Sequence, residues 1–77
     1  MTNASFNTIT AETIFNYLNG SFWTREDEMI EDIECLDLTV EDSNNEYVAA
    51  VDSDENEYLI YLGHANTTMW VERVREM

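Results

Sequence analysis

The sequence contains no lysine and no proline, and only one cysteine and two glycines among its 77 residues. The single cysteine, Cys35, excludes an intrachain disulfide and any metal site made only of cysteines. No apolar run approaches the roughly 18 residues that a transmembrane helix needs. Because no proline, internal repeat or linker divides the chain, we expect one domain over residues 1–77.

Motifs for catalysis and nucleotide binding are also missing. The sequence has no G-x-G-x-x-G, no phosphate-binding P-loop, no zinc-ligand spacing and no nucleophile elbow. His64 is the single histidine, and no motif relates it to a nucleophile. Residues 52–56 match the first half of a calcium loop, but Glu57 stands where the loop needs glycine, and Gly63 where it needs glutamate. We therefore expect no enzyme, no cofactor and no dedicated metal site.

The composition also indicates where the protein acts. Residues 1–5 lack the basic and apolar segments of a signal peptide, which predicts a cytoplasmic protein. Anionic membranes attract Lys and Arg, so an acidic surface argues against binding to them. We expect no membrane partner.

What the sequence has in excess is negative charge. Seventeen residues are Asp or Glu and three are Arg, so the formal net charge is −14. Fourteen of the acids lie between Glu26 and Glu57, with no basic residue among them. Like charges on one compact body repel each other and destabilise it. Because the fold keeps these acids without lysine partners, we expect their negative electrostatic field to attract a basic partner surface. The commonest strongly basic surfaces are those that bind nucleic acid.

Apolar periodicity predicts one or two N-terminal helices. Thr10 is the expected N-cap of a first helix over residues 11–19. Thr24 offers a second N-cap, and the residues after it suit an amphipathic helix to about Glu34. This second segment is also compatible with an irregular loop that leads into the next strand.

From Cys35 onward the apolar pattern has a period of two, which predicts strands. Four strands are expected, over residues 36–41, 46–51, 58–62 and 67–75, with polar turns between them. Short connections favour antiparallel hairpins. The predicted fold is therefore an α+β domain in which one or two N-terminal helices pack on a four-stranded antiparallel sheet. The third strand is expected to be central, and Cys35 to be buried.

The acids are predicted to form a partner-binding surface. Residues i and i+2 of a strand share a face about 6.6 Å apart, which would place Asp37 and Glu41 together. On a helix, Asp27 and Glu31 are neighbours one turn apart. Rows of carboxylates at such spacings can imitate a phosphate backbone and meet the Lys and Arg that hold phosphates. The predicted partner-binding residues are Glu26, Asp27, Glu28, Glu31, Asp32, Glu34, Asp37, Glu41, Asp42, Asp52, Asp54 and Glu55.

Aromatic residues and arginines complete the set of candidates. Phe22, Trp23 and Trp70 are assigned to the core or its rim, and one of them is a candidate for an exposed contact residue. Arg73 and Arg75 share one strand face, where we expect them to pair with neighbouring acids rather than with phosphate. No direct binding to nucleic acid is expected.

Two other interpretations of the acidic composition stay open. The surface could serve only solubility, or an unrelated interaction of a small acidic adaptor. Adaptation to high salt would also favour Asp and Glu over Lys, although the eight asparagines and the bulky Ile, Phe and Tyr residues do not particularly indicate it.

With its acidic, lysine-free composition and its small sheet, the chain resembles the DNA mimics encoded by phages. These include inhibitors of uracil-DNA glycosylase, anti-restriction proteins and anti-CRISPR proteins. Residues 52–62, followed by Met69-Trp70-Val71, are similar to the late strands of the glycosylase inhibitor. The Glu-Ser-Ile strand that this inhibitor inserts at the DNA groove has no counterpart here. The resemblance implies a phage protein that evades host defence by inhibiting a CRISPR-Cas effector in the host cytoplasm. A glycosylase and a restriction enzyme are the alternative targets.

Overall fold

The computed structural model describes residues 9–77. In these residues two helices, α1 (Ala11–Leu18) and α2 (Glu26–Glu34), precede four strands, β1 (Thr39–Ser43), β2 (Tyr47–Val51), β3 (Glu57–Ala65) and β4 (Thr68–Glu76). The strands form one antiparallel sheet in the order β1-β2-β3-β4. The predicted α+β class is confirmed, and β3 is an interior strand as predicted.

The start of α1 is fixed by a pair of threonines. The Thr13 amide donates to Thr10 Oγ1 at 3.2 Å, and the Thr10 amide donates to Thr13 Oγ1 at 2.8 Å. This reciprocal capping satisfies donors that a helix start leaves without partners. The predicted cap at Thr10 is therefore confirmed. Ile14 and Leu18, one turn apart, are buried and hold α1 on the core.

The second segment is a helix rather than a loop, but it begins differently from the prediction. Arg25, not Thr24, is the N-cap residue, and its side chain makes no capping hydrogen bond. Three acids follow in the first turn, where the positive end of the helix dipole favours anions. Met29 and Ile33 are buried, so apolar packing holds α2 in place.

The predicted first strand begins too early. Residues 35–37 form a turn in which the Leu36 amide donates to the Ile33 carbonyl and the Asp37 amide to the Glu34 carbonyl. Asp37 has φ 61°, a left-handed conformation that Asp tolerates better than most residues. Leu36 and Leu38 alternate with polar residues as in a strand, but Leu36 lies in the turn that ends α2 and Leu38 lies in the linker before β1. Cys35 is the C-cap residue of α2 and is exposed, so the prediction that it is buried is wrong.

The last hairpin is longer than predicted. The third strand was expected to end at residue 62, but β3 continues to Ala65, which pairs with Thr68 of β4. His64 therefore lies in a strand opposite Met69, and not in a turn. The turn itself is Asn66-Thr67, where Asn66 has φ 59°. The first hairpin also turns later than predicted, since Ser43 still belongs to β1.

Both helices cover the same face of the sheet. α1 lies against β4 and α2 against β1. Trp23 forms an isolated bridge with Met69, through reciprocal backbone hydrogen bonds of 2.9 and 2.8 Å, and closes the core beside β4. The buried apolar residues between these layers are Ile14, Leu18, Trp23, Met29, Ile33, Leu38, Val48, Ala50, Tyr58, Ile60 and Val71. Among residues 9–77, no helix is long and apolar enough to cross a bilayer.

Gly63 lets an indole ring lie close to the sheet. A Cβ atom at this position would lie 2.5 Å from Trp70 Nε1 and 2.7 Å from Glu72 Oε2. The same indole nitrogen donates to Glu72 Oε2 at 3.0 Å. A methyl group at Gly63 would therefore displace the ring and its hydrogen bond.

We expect Gly63→Ala to lower the free energy of unfolding by about 1–3 kcal/mol, the usual cost of overpacking. Urea denaturation followed by circular dichroism would measure the change. The matched control is the same substitution in a Trp70→Ala background, where the clash with the indole is absent, the flexible Glu72 side chain can move aside, and most of the cost should disappear. An equal cost in both backgrounds would contradict this explanation.

Candidate functional site

The helix α2 brings together the predicted acids of the second helical segment. Asp27, Glu28, Glu31 and Glu34 are exposed, on the side away from the buried residues of α2. Neighbouring carboxylates one turn apart repel each other by a few tenths of a kcal/mol per pair. In the part of the chain that the structure describes, one salt bridge forms, between Arg25 Nη2 and Asp27 Oδ2 at 2.6 Å. This hydrogen bond from Arg25 lowers the pKa of Asp27.

Two predicted partner-binding acids also hold the fold together. Asp32 Oδ2 accepts a hydrogen bond of 2.7 Å from Trp23 Nε1, which satisfies the polar atom of a largely buried ring. Glu26 accepts a hydrogen bond from the Ser43 hydroxyl and so joins the start of α2 to the end of β1. Asp32 and Glu26 are therefore poor choices for charge reversal, because their loss would also disturb packing.

An open groove runs beside the acidic side of α2. Its walls are Ser21, Phe22, Trp23, Glu28, Glu31 and Asp32. The Phe22 side chain is 67% exposed and meets Trp70 edge to face, with the ring centroids 6.1 Å apart. An aromatic wall beside carboxylates fits a Lys or Arg side chain, whose cation can contact the ring while its N–H groups donate to the acids.

The groove was not predicted as such. Phe22 was only one of three candidates for an exposed aromatic contact, and its neighbours in sequence do not show that it borders α2. The backbone bridge between Trp23 and Met69 places this segment beside the helix. That pairing spans most of the chain, and no local pattern reports it.

The remaining predicted acids do not form one face with α2. Asp37 lies in the turn after the helix, and Glu41 is the extra residue of a bulge between Val40 and Asp42. The prediction that Asp37 and Glu41 share a strand face is therefore wrong. Asp42 pairs with Ala49, on the face of the sheet away from the helices.

Asp54 and Glu55 lie exposed in the turn between β2 and β3. Because Thr39 pairs with Val51, this turn lies at the same end of the sheet as Asp37. The predicted acids thus lie in four places: on α2, at one end of the sheet, in the β1 bulge, and on the sheet face away from the helices.

Asp52 organises the turn between β2 and β3. Its carboxylate accepts hydrogen bonds from the Asp54 amide at 2.9 Å, the Asn56 amide at 2.9 Å, Asn56 Nδ2 at 3.2 Å and the Tyr58 hydroxyl at 3.1 Å. These bonds, the Asn56 amide foremost, lower the pKa of Asp52. Both oxygens serve the turn, so Asp52 is a structural residue here. Within residues 9–77, no group of three candidate ligands could hold a metal ion.

Tyr58 connects this turn to the start of α1. Its hydroxyl also lies 2.9 Å from the Ile9 carbonyl oxygen, so one proton is shared between that carbonyl and Asp52. Burial, together with the neighbouring carboxylate, raises the pKa of Tyr58 to about 12. The neutral hydroxyl is the form that the fold requires.

The lowered pKa of Asp52 predicts a specific dependence of stability on pH. The ionised carboxylate stabilises the fold above the ordinary Asp pKa of about 4, and this contribution is lost as the pH falls through the lower pKa of the folded state. We expect Asp52→Asn to melt below the wild type at pH 7, with a difference that shrinks below about pH 4.

Thermal melts between about pH 2 and 7 would measure this difference. Asp54→Asn is the matched control, because it removes the same charge from an exposed position of the same turn. A difference for Asp52→Asn that did not change with pH would show that geometry, and not ionisation, matters.

Comparison with protein families, with curated proteins and with solved structures found no match to this chain. The resemblance to phage-encoded DNA mimics therefore stays a prediction from the sequence.

Proposed function

We propose that this protein is a non-catalytic inhibitor that mimics nucleic acid and occupies the basic DNA- or RNA-binding surface of a host defence complex. A CRISPR-Cas effector is the first candidate, and the proposed place of action is the host cytoplasm. The observation that carries the proposal is the exposed acidic side of α2, where Asp27 alone has an ionic partner within residues 9–77.

The linear density of charge supports mimicry. Residues 9–77 contain every charged side chain and extend over 45 × 21 × 19 Å. A net charge of −14 along the 45 Å axis corresponds to one charge per about 3.2 Å, close to the spacing of about 3.4 Å along one strand of B-DNA. A channel that neutralises a strand with Lys and Arg would meet a similar field on this protein.

The electrostatic repulsion among the carboxylates of α2 also supports a role in binding. Glu28 and Asp32, like Asp27 and Glu31, are like-charged neighbours on α2, and lysines at some of these positions would relieve the repulsion. A partner that supplies the missing cations would relieve it instead. Complementary charge of this kind accelerates encounter and makes association sensitive to salt.

The groove beside α2 could fix the orientation in which the proposed partner binds. A charged surface alone tolerates many orientations of a partner. Phe22 supplies an exposed ring at the groove, and Glu28 and Glu31 supply acceptors beside it. Aromatic residues and Arg are the residue types in which binding energy at interfaces concentrates. We therefore place one Lys or Arg side chain of the partner in this groove.

Competition for DNA is the direct test. Purified CRISPR-Cas effectors, a uracil-DNA glycosylase and a restriction enzyme would each be bound to labelled DNA and titrated with the protein in a mobility-shift assay. We expect displacement of DNA from one of these targets, with an apparent affinity that falls as the salt concentration rises. A target that held DNA and this protein together would contradict competition, and displacement from none would overturn the proposed target class.

Charge reversal on α2 locates the binding surface. We expect Glu28→Lys combined with Glu31→Lys to weaken binding by several kcal/mol, since each close charge pair at such interfaces couples by roughly 1.5–7 kcal/mol. Folding should persist, because self-repulsion falls. The control is Glu12→Lys with Glu76→Lys, which changes the net charge equally at exposed positions outside α2. Equal losses for both variants would mean that net charge, and not the α2 surface, governs binding.

A further inference from the structure

One face of the sheet is left uncovered by the described helices. We call it the open face. Alternation along the strands places its residues opposite the buried Val48, Ala50, Tyr58 and Ile60. The open face includes Thr39, Asp42, Tyr47, Ala49, Val51, Glu57, Leu59, Tyr61, Gly63, Trp70, Arg73 and Arg75.

The open face differs in character from the rest of the molecule. Its centre, Tyr47, Ala49, Leu59 and Tyr61, is apolar or aromatic, and the Tyr47 and Tyr61 rings meet edge to face at 6.3 Å. Arg73 lies over the Tyr61 ring, with its guanidinium carbon 4.3 Å from the centroid. Two of the three arginines of the chain are on this face.

The predicted pairing of these two arginines with neighbouring acids is not observed. The single salt bridge within residues 9–77 belongs to Arg25, so Arg73 and Arg75 have no ionic partner in the described part of the chain. Their guanidinium groups are therefore available to carboxylates of another molecule.

The strand register orders these side chains into a row of alternating character. Asp42 pairs with Ala49, Ala49 with Leu59, and Leu59 with Arg75. An acid thus occupies one edge of the sheet and a base the other edge, with a small and a large apolar residue between them. The adjacent row is Tyr47, Tyr61 and Arg73.

We propose that the open face is the contact surface of a symmetric homodimer. A two-fold axis parallel to the strands, midway between β2 and β3, turns each row onto its own copy. Arg75 then faces Asp42 of the second molecule, Leu59 faces Ala49, and Tyr61 faces Tyr47. The acidic Asp42 therefore contacts the basic Arg75, and the large Leu59 side chain contacts the small Ala49. Each contact occurs twice because of the two-fold symmetry.

Charge also excludes the other two-fold arrangement of two stacked sheets. An axis perpendicular to the strands places β4 over β4, so that the arginines of the two molecules face each other. Like charges in contact across an interface repel each other and disfavour association. The parallel axis is also compatible with the nearly aligned packing of β-sandwiches, in which two sheets lie about 10 Å apart.

The dimension of the open face sets the expected strength of the dimer. Four strands about 4.8 Å apart and five or six residues long give on the order of 400 Å² for each molecule. This is small for a stable interface, so the dimer should depend on concentration. Two molecules that each carry −14 also repel each other, so the dimer should strengthen with moderate salt. Binding to a basic target has the opposite dependence on salt.

Sedimentation velocity over a concentration series, at about 0.05 and 0.3 M NaCl, tests the dimer. We expect Arg75→Asp and Asp42→Arg each to raise its dissociation constant at least about tenfold, since each creates two like-charge contacts. The charge-swapped double variant, Arg75→Asp with Asp42→Arg, should restore the wild-type value. Arg25→Asp and Glu12→Arg are the controls, because they change the net charge equally off the open face.

Leu59→Glu is an independent test, because it places an acid at the centre of the open face without altering either charged edge. It should abolish the dimer, while circular dichroism shows that the monomer stays folded. A wild-type protein that is monomeric at every concentration and salt would overturn the proposal. So would a dimer that persists in both charge variants, or a double variant that fails to regain it.

The homodimer and the proposed inhibition are tested by different outcomes, so either can be rejected while the other is retained. A dimer without displacement of DNA would leave the homodimer intact and reject the inhibitor. A monomer whose DNA displacement is lost on Leu59→Glu would overturn the dimer and assign the open face to the target.

Discussion

Nearly all of the charge in this molecule has one sign, and the fold depends on hydrogen-bond donors that are neutral. Asp52 is satisfied by backbone amides and the Tyr58 hydroxyl, and Asp32 by the Trp23 indole. Such donors stabilise a carboxylate without adding a cation. Because Tyr58 and Trp23 are also among the buried residues, each ring packs in the core and anchors an acid at its edge. Packing and electrostatics therefore cannot be altered independently at these positions.

The sheet separates two surfaces of different chemistry. On the helix side, α2 presents carboxylates along the groove that Phe22 and Trp23 help to line. On the other side, the open face presents tyrosines, aliphatic residues and two arginines. If two molecules pair through their open faces, their α2 helices point away from each other. The proposed inhibitor would then be bivalent, and a target with two basic channels within reach would be held by avidity rather than by a single contact.

Local patterns predicted the parts of the fold that local forces decide. The first helix follows from its apolar spacing and the Thr10 cap, and the sheet from strands with short polar connections. The errors occur where different backbone geometries give the same apolar pattern. Leu36 and Leu38 alternate with polar residues as a strand would, yet Leu36 lies in the turn that ends α2 and Leu38 in the linker before β1. The acids of α2 were predictable from composition, whereas the groove was not, because it requires Trp23 to pair with Met69.

The sheet is a meander, in which each strand pairs only with its neighbours in sequence. Such local pairing brings little loop-closure cost and generally allows fast folding. The connections that span the chain are those of Trp23 with Met69 and of Tyr58 with Ile9. These join the helical segment to a sheet that can already exist. The contacts between residues distant in sequence therefore attach the helical segment to the sheet, whereas the sheet itself is held by pairing between neighbouring strands.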